Sequence, residues 1–171
     1  WFPLLSRVNG RETAMGYDGF STTHPVIQKI RTVSETNQAF DAISYSKGEA
    51  VIAMLEAFAG EDVWQRGIRS YIQRHAYGNT TSDDLWRAVE EAGAEGLVEI
   101  AHDFTLKPGV PLVRAEAECI DGNTVLELAQ SEFSRDRKDQ VAADPQRWRV
   151  PLLVQPARRA SFRRVLEGSL A

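Results

Sequence analysis

Between residues 46 and about 113 the apolar positions recur with a helical period. Val51, Met54, Leu55 and Phe58 stand at i, i+3, i+4 and i+7 and form one continuous stripe. Gly60 follows where a C-terminal glycine cap belongs, and Ser46 with Glu49 has capping-box spacing, so the pattern predicts a helix beginning at Ser46. A second helix is predicted over about 61–76, with Trp64, Ile68, Tyr71, Ile72 and His75 on one side and Gly78 closing it. A third begins at Thr81 or Ser82, places Asp83 and Asp84 in its first turn where the helix dipole favours them, turns Leu85, Trp86 and Val89 inward and stops at Gly93. Residues 97–105 predict one further short helix, which the Lys107-Pro108-Gly109-Val110-Pro111 stretch ends. Residues 1–30 are less legible, because Gly10, Gly16 and Gly19 interrupt weak helical signals and His24-Pro25 marks a turn or helix start.

After Pro111 the period changes to two. Val113, Ala115, Ala117 and Cys119 alternate with Arg114, Glu116 and Glu118, and Asp121-Gly122 supplies a hairpin turn, so Cys119 is expected to be a strand residue facing a core. Residues 125–130 and 148–154 read as further strands, separated by a charged loop over 134–144. Helices followed by strands, with the junction near 107–112, predict an α+β chain and argue against a doubly wound sheet.

Composition narrows the function classes. With 43% hydrophobic and 26% charged residues, the 171-residue chain belongs with globular proteins able to bury one good core or two small ones. A net charge of -4 provides no basic field to hold a polyanion, which makes nucleic acid a poor partner. Arg158, Arg159, Arg163 and Arg164 form the basic cluster and read as a solvated strand or hairpin face. A single cysteine has no internal disulfide partner, and no stretch is apolar and long enough to span a bilayer. Residue 1 is tryptophan and no leader-like segment follows, as expected of a trimmed or proteolytic piece of a longer protein. The compartment stays open between cytoplasm and periplasm.

Chemistry concentrates in residues 40–50, Phe-Asp-Ala-Ile-Ser-Tyr-Ser-Lys-Gly-Glu-Ala, which set a phenol, a cation and a glycine at the mouth of an amphipathic helix. On local pattern alone Tyr45 is an apolar residue before the cap, packing on Ala50. Lys47 reads as a solvated first-turn residue or a structural hydrogen-bond donor. Gly48 inside a helix costs roughly 1 kcal/mol relative to alanine, so a close approach there, most simply by a neighbouring helix, is expected. His24, His75 and His102 are far apart, and no pair has the i, i+4 spacing by which one helix face grips zinc. His75 shares a face with Tyr71 and Ile72 and reads as a satisfied, partly buried residue. Neither a nucleophile elbow nor a glycine-rich phosphate loop occurs.

The same stretch resembles the segment that carries the catalytic tyrosine in zinc aminopeptidases of the aminopeptidase N type, a gluzincin family. Phe40 to Leu55 matches the signature Phe-Asp-x-Ile-Ser-Tyr-x-Lys-Gly-x-x-x-x-x-Met-Leu, and Thr23-His24-Pro25-Val26 is similar to the family's Ser-Ser-His-Pro-Ile step. Tyr77-Gly78-Asn79 and Asp84-Leu85-Trp86 resemble its next two helices, and Phe104 and Lys107 replace the usual tryptophan and glutamine at the exit of the catalytic domain. The family's His-Glu-x-x-His zinc motif and Gly-x-Met-Glu-Asn substrate motif are not in the sequence.

The resemblance implies that residues 1–108 are the helical C-terminal part of a thermolysin-like catalytic domain and residues 109–171 the start of a small β-sandwich. It implies a fragment of a hydrolase that removes N-terminal residues from peptides, inactive alone. Zinc would belong to the parent protein and not to this chain. Tyr45 matches the family's tyrosine: an uncharged donor with a pKa near 10 can hydrogen-bond a developing oxyanion without charging the resting site. The implied partners are a peptide substrate, the missing N-terminal part of the same protein, and a second copy if the apolar cut face, expected beside Tyr45, is left uncovered. The competing class is a metal-free interaction or scaffold module that kept the fold and lost the chemistry.

Overall fold

The computed structural model describes residues 2–157 and 160–167, with side chains from residue 10 onward except that of Gln38. Its helices are α1 (Phe2–Asp18), α2 (Val33–Gln38), a π turn (Ile43–Lys47), α3 (Gly48–Ala59), α4 (Glu61–Arg74), α5 (Ser82–Glu91) and α6 (Leu97–Thr105). Strands β1 (Val110–Ile120) and β2 (Asn123–Phe133), helix α7 (Lys138–Ala143), and strands β3 (Arg149–Val154) and β4 (Phe162–Glu167) follow. The order is α+β, as the change of period requires. Among the described residues no helix is long and apolar enough to cross a membrane.

Helices α3 to α6 enclose the main core. Val51 and Leu55 of the expected stripe meet Trp64 of α4, Trp86 and Val89 of α5, and Leu97, Ile100, Ala101 and Phe104 of α6. Leu55, Val89, Leu97 and Ala101 are wholly sealed from solvent. Helix α4 crosses α5 at Gly67, where an added Cβ would stand 2.6 Å from the Val89 Cα, so glycine is what permits the two backbones to come this close. Helix α5 starts with a capping box in which Thr81 and Asp84 satisfy each other's backbone N–H groups. Asp83, in the same first turn, pairs with His102 of α6 at 2.8 Å.

Both hairpins are antiparallel. β1 and β2 pair through to Ile120 opposite Asn123 around Asp121 and Gly122, whose φ angles of 50° and 77° are those of a type I′ turn. β3 and β4 form a separate two-stranded sheet. That sheet is tied to the helices: Trp148 lies in the helical core, Val150 and Val165 pack on it, and Asp103 of α6 accepts from the Arg149 backbone at 2.8 Å.

Several sequence expectations are corrected. Cys119 is exposed, and among the described residues both faces of the distal β1–β2 hairpin lie open. The charged loop over 134–144 contains α7, anchored by buried Val141. α1 runs unbroken through Gly10 and Gly16, and Gly10 faces Ser46 Oγ, which a built Cβ would meet at 3.7 Å. Arg163 and Arg164 lie exposed on β4, as expected of a solvated hairpin face; Arg158 and Arg159 fall outside the described residues.

Candidate functional site

Tyr45 sits inside the π turn and not before a cap. The cap is Asp41: its Oδ1 accepts the Ser44 N–H at 2.8 Å, and its carbonyl accepts the Tyr45 N–H at 3.1 Å. The Gly48 N–H then donates to the Ile43 carbonyl five residues back, which defines the wide turn. Ser46 and Glu49 are thus already helical, and the capping box expected there is not formed. Ile43 and Lys47 face inward, whereas Tyr45 is 60% exposed with its ring centroid 5.9 Å from that of Phe40. Packing on Ala50 does not account for the tyrosine. Gly48 has only ordinary contact, 3.6 Å from a built Cβ to Val26 Cγ1. The close approach expected at Gly48 occurs instead at Gly67.

Lys47 is not solvated. Its Nζ lies 2.7 Å from Asp18 Oδ2 and donates to the Gly109 carbonyl at 3.0 Å, and both side chains of the pair are almost sealed from solvent. Asp18 Oδ1 accepts the Gly109 N–H at 2.8 Å and the Thr23 hydroxyl at 2.5 Å. A buried ion pair offsets its desolvation when its remaining lone pairs and protons are satisfied in this way. The pair fastens the end of α1, the π turn and the entry to β1 to one another.

At the start of the turn, Asp41 Oδ2 lies 2.5 Å from His24 Nε2, while His24 Nδ1 donates to the Pro25 carbonyl at 2.9 Å. Burial alone would lower the His24 pKa, but the Pro25 carbonyl, Asp41 and Asp18 outweigh it and raise the pKa above the ordinary imidazole value. Burial likewise works to raise the Asp41 pKa, and the Ser44 N–H and His24 outweigh it and hold the carboxyl below its ordinary range. Sequence reading missed Asp18 and both members of this pair as supports of the turn. Asp41 was findable, since an Asp three residues before Ser44 is an N-cap signal.

Tyr45 and Ile52 share a wall of a cleft of about 500 Å³, with Val26 and Ile27 beside them and Tyr71, Leu85, Trp86 and the 80–82 segment across it. The lining mixes apolar side chains with Ser44, Glu49, Thr80, Thr81, Ser82 and Thr105, and the phenol on this wall is open to solvent. A second cavity, about 520 Å³, lies between α1 and α3 and is lined by Lys47, Met15, Met54 and Phe104 but not by Tyr45.

The histidines remain apart: His24 meets Asp41, His102 meets Asp83, and His75 lies against Tyr71 with the rings tilted at 43° and centroids 5.5 Å apart. Among the described residues no three His, Cys, Asp or Glu side chains converge as a ligand set. The described histidines and carboxylates do not together fit a zinc centre.

Comparison with known proteins gives the chain's family. Residues 4–104 match the peptidase family M1 domain. The chain is 37% identical over 120 residues to Aminopeptidase 2 of Candida albicans, covering 70% of this chain and 13% of that protein. It is 36% identical over 127 residues to Leucyl aminopeptidase of Saccharolobus solfataricus (74% and 16%) and 39% identical over 116 residues to Aminopeptidase M1 of Arabidopsis thaliana (68% and 13%). It therefore spans a small part of the length of the curated relatives it matches. With a family match over more than half its residues, the chain belongs to peptidase family M1.

Proposed function

We propose that this chain is the tyrosine-bearing segment of an aminopeptidase that removes N-terminal residues from peptides. The Tyr45 phenol donates a hydrogen bond to the oxygen that gains charge as the peptide carbonyl is attacked. The observation that supports this reading is Tyr45 itself: a large side chain left exposed on a cleft wall by a turn that is otherwise fixed on both sides. A neutral donor held in place acts on the transition state more than on the ground state, because the acceptor's charge develops only there. The zinc on which family M1 peptidases generally depend, and the base that works with it, belong in this reading to sequence outside the chain. Isolated residues 1–171 are accordingly inactive.

Residues 1–108 belong in this reading to the catalytic domain, and residues 109–171 begin a β-sandwich. The change from helix to strand between Thr105 and Val110 supports that division. Phe40, Tyr45 and Ile52 leave an apolar face on the cleft side, which the rest of the catalytic domain would cover in the parent and a second copy could cover in the isolated chain.

Tyr45→Phe in the full-length parent tests the proposal. The variant should fold normally and lose about 10²–10³ in kcat, about 3–4 kcal/mol of transition-state stabilisation. A variant that retains more than half of the parent's kcat sinks the assignment. Zinc-supplemented assays on amino-acid aminocoumarins separate this reading from a scaffold module: chelator-sensitive activity in the parent alone supports it, and activity in neither parent nor chain rejects it.

A further inference from the structure

The supports of the π turn differ in chemical kind. On one side the buried Asp18–Lys47 pair joins two groups that ordinarily ionise far from neutrality. On the other stands His24, the residue type that titrates nearest neutral pH. Both of its ring nitrogens face acceptors. The Pro25 carbonyl at 2.9 Å from Nδ1 has no proton to give, and the Asp41 carboxylate at 2.5 Å from Nε2 accepts. Only the imidazolium satisfies both contacts by donating twice; the neutral ring leaves one nitrogen lone pair facing an oxygen. Asp41 in turn holds the first backbone N–H groups of the turn, those of Ser44 and Tyr45. The chain of contacts from His24 thus ends on the backbone of the residue whose phenol matters.

We propose that His24, as an imidazolium paired with Asp41, is a positioning residue that holds the Tyr45 turn in its reactive geometry and makes that geometry sensitive to pH. This rests on the reading of Tyr45 given above. His24 touches no part of the cleft that Tyr45 lines; it acts through Asp41. The charged groups acting on it are Asp41 and Asp18 at the end of α1, and Tyr17 is the other titratable residue lining the same small recess. Both carboxylates favour the charged ring, and Lys47 is already engaged with Asp18.

The sign follows from the direction of the shift. A raised folded pKa means that the contribution of His24 is complete below its ordinary value of 6.5 and is lost as the pH rises through the folded value. The ratio of parent to His24→Ala kcat should therefore be largest on the acid side and fall toward one as the pH rises. Displacing a catalytic group without removing it lowers turnover far more than binding, so His24→Ala in the full-length parent should lose about tenfold in kcat at the acid end, with KM changed less than about twofold.

The deciding measurement is the cycle of His24→Ala and Tyr45→Phe in the parent, with His24→Gln, which keeps a donor for Asp41, standing in should alanine prevent folding. If His24 acts through Tyr45, its replacement lowers kcat in the tyrosine background and has no further effect in the phenylalanine background. Equal losses in both backgrounds, a loss confined to KM, or a parent-to-variant ratio independent of pH each overturn the role of His24 while leaving Tyr45 in place. Full activity of Tyr45→Phe removes the Tyr45 reading, and this inference with it.

Discussion

The four-helix region from α3 to α6 and the segment from Asp18 to Lys47 are held together by opposite means. In the first, Leu55, Val89, Leu97, Ile100 and Ala101 fill one another's gaps, and stability follows volume. In the second, α1, the loop and the π turn meet through Asp18–Lys47, His24–Asp41 and the Asp41 cap, and stability follows charge and hydrogen-bond satisfaction. Apolar packing tolerates small slides that conserve volume, whereas a bidentate acceptor between two donors fixes direction. The residue proposed to act on substrate stands on the polar region, backed by the apolar one through Val51 and Leu55, about two and three turns further along in α3.

The largest way to break this comparison is Lys47→Met. It fits the space but leaves Asp18 buried and uncompensated, so unfolding in urea should show a loss of about 3–5 kcal/mol. Adding Asp18→Asn keeps an acceptor for the Gly109 N–H and removes the orphaned charge, and the double variant should recover more than half of that loss. If the two losses simply add, the network is not what holds the turn. Leu55→Ala makes the contrasting test. Wholly buried, Leu55 should cost about 2–5 kcal/mol when truncated, with no partner whose replacement restores it. Its loss should also be the same at pH 5 and pH 8, since the buried cluster it belongs to is apolar. A pH-dependent loss at Leu55 would erase the distinction between the two regions.

The same division explains what was legible in the sequence. Helix α6 was expected at 97–105 and forms there, and α4 and α5 were expected within a residue or two of their ends, because an apolar stripe with caps is a short-range signal. The turn was misread for the converse reason. Ser46 and Glu49 have capping-box spacing, but Asp41 upstream captures the backbone first, and the wide turn that follows shifts the side chains Tyr45 and Lys47 onto opposite sides. Of the two readings of Lys47, solvated residue or structural hydrogen-bond donor, the structure bears out the second; its partner Asp18 was hidden because it ends a helix whose glycines weakened the pattern. No local rule connects a cation in one helix to a carboxylate at the end of another. Tyr45 itself was singled out by family resemblance, and its exposure removes the packing explanation that local pattern favoured.

The distal β1–β2 hairpin lets the comparison be sharpened where neither means of holding operates. Its alternation of Val113, Ala115, Ala117 and Cys119 with charged residues foretold an inner face, yet alternation reports only that two faces differ, not that a second layer covers one. From Arg114 to Glu127 both strands are exposed, while the proximal end is fastened by Gln130, which exchanges two hydrogen bonds with the Trp148 backbone at 2.8 and 2.7 Å. Cys119→Ser should therefore change stability by less than about 0.5 kcal/mol, the smallest effect expected here. A loss above 1 kcal/mol would mean that the cysteine faces a packed layer in the isolated chain. That layer would have to come from a second copy, and sedimentation of the same sample would then show a dimer in place of a monomer.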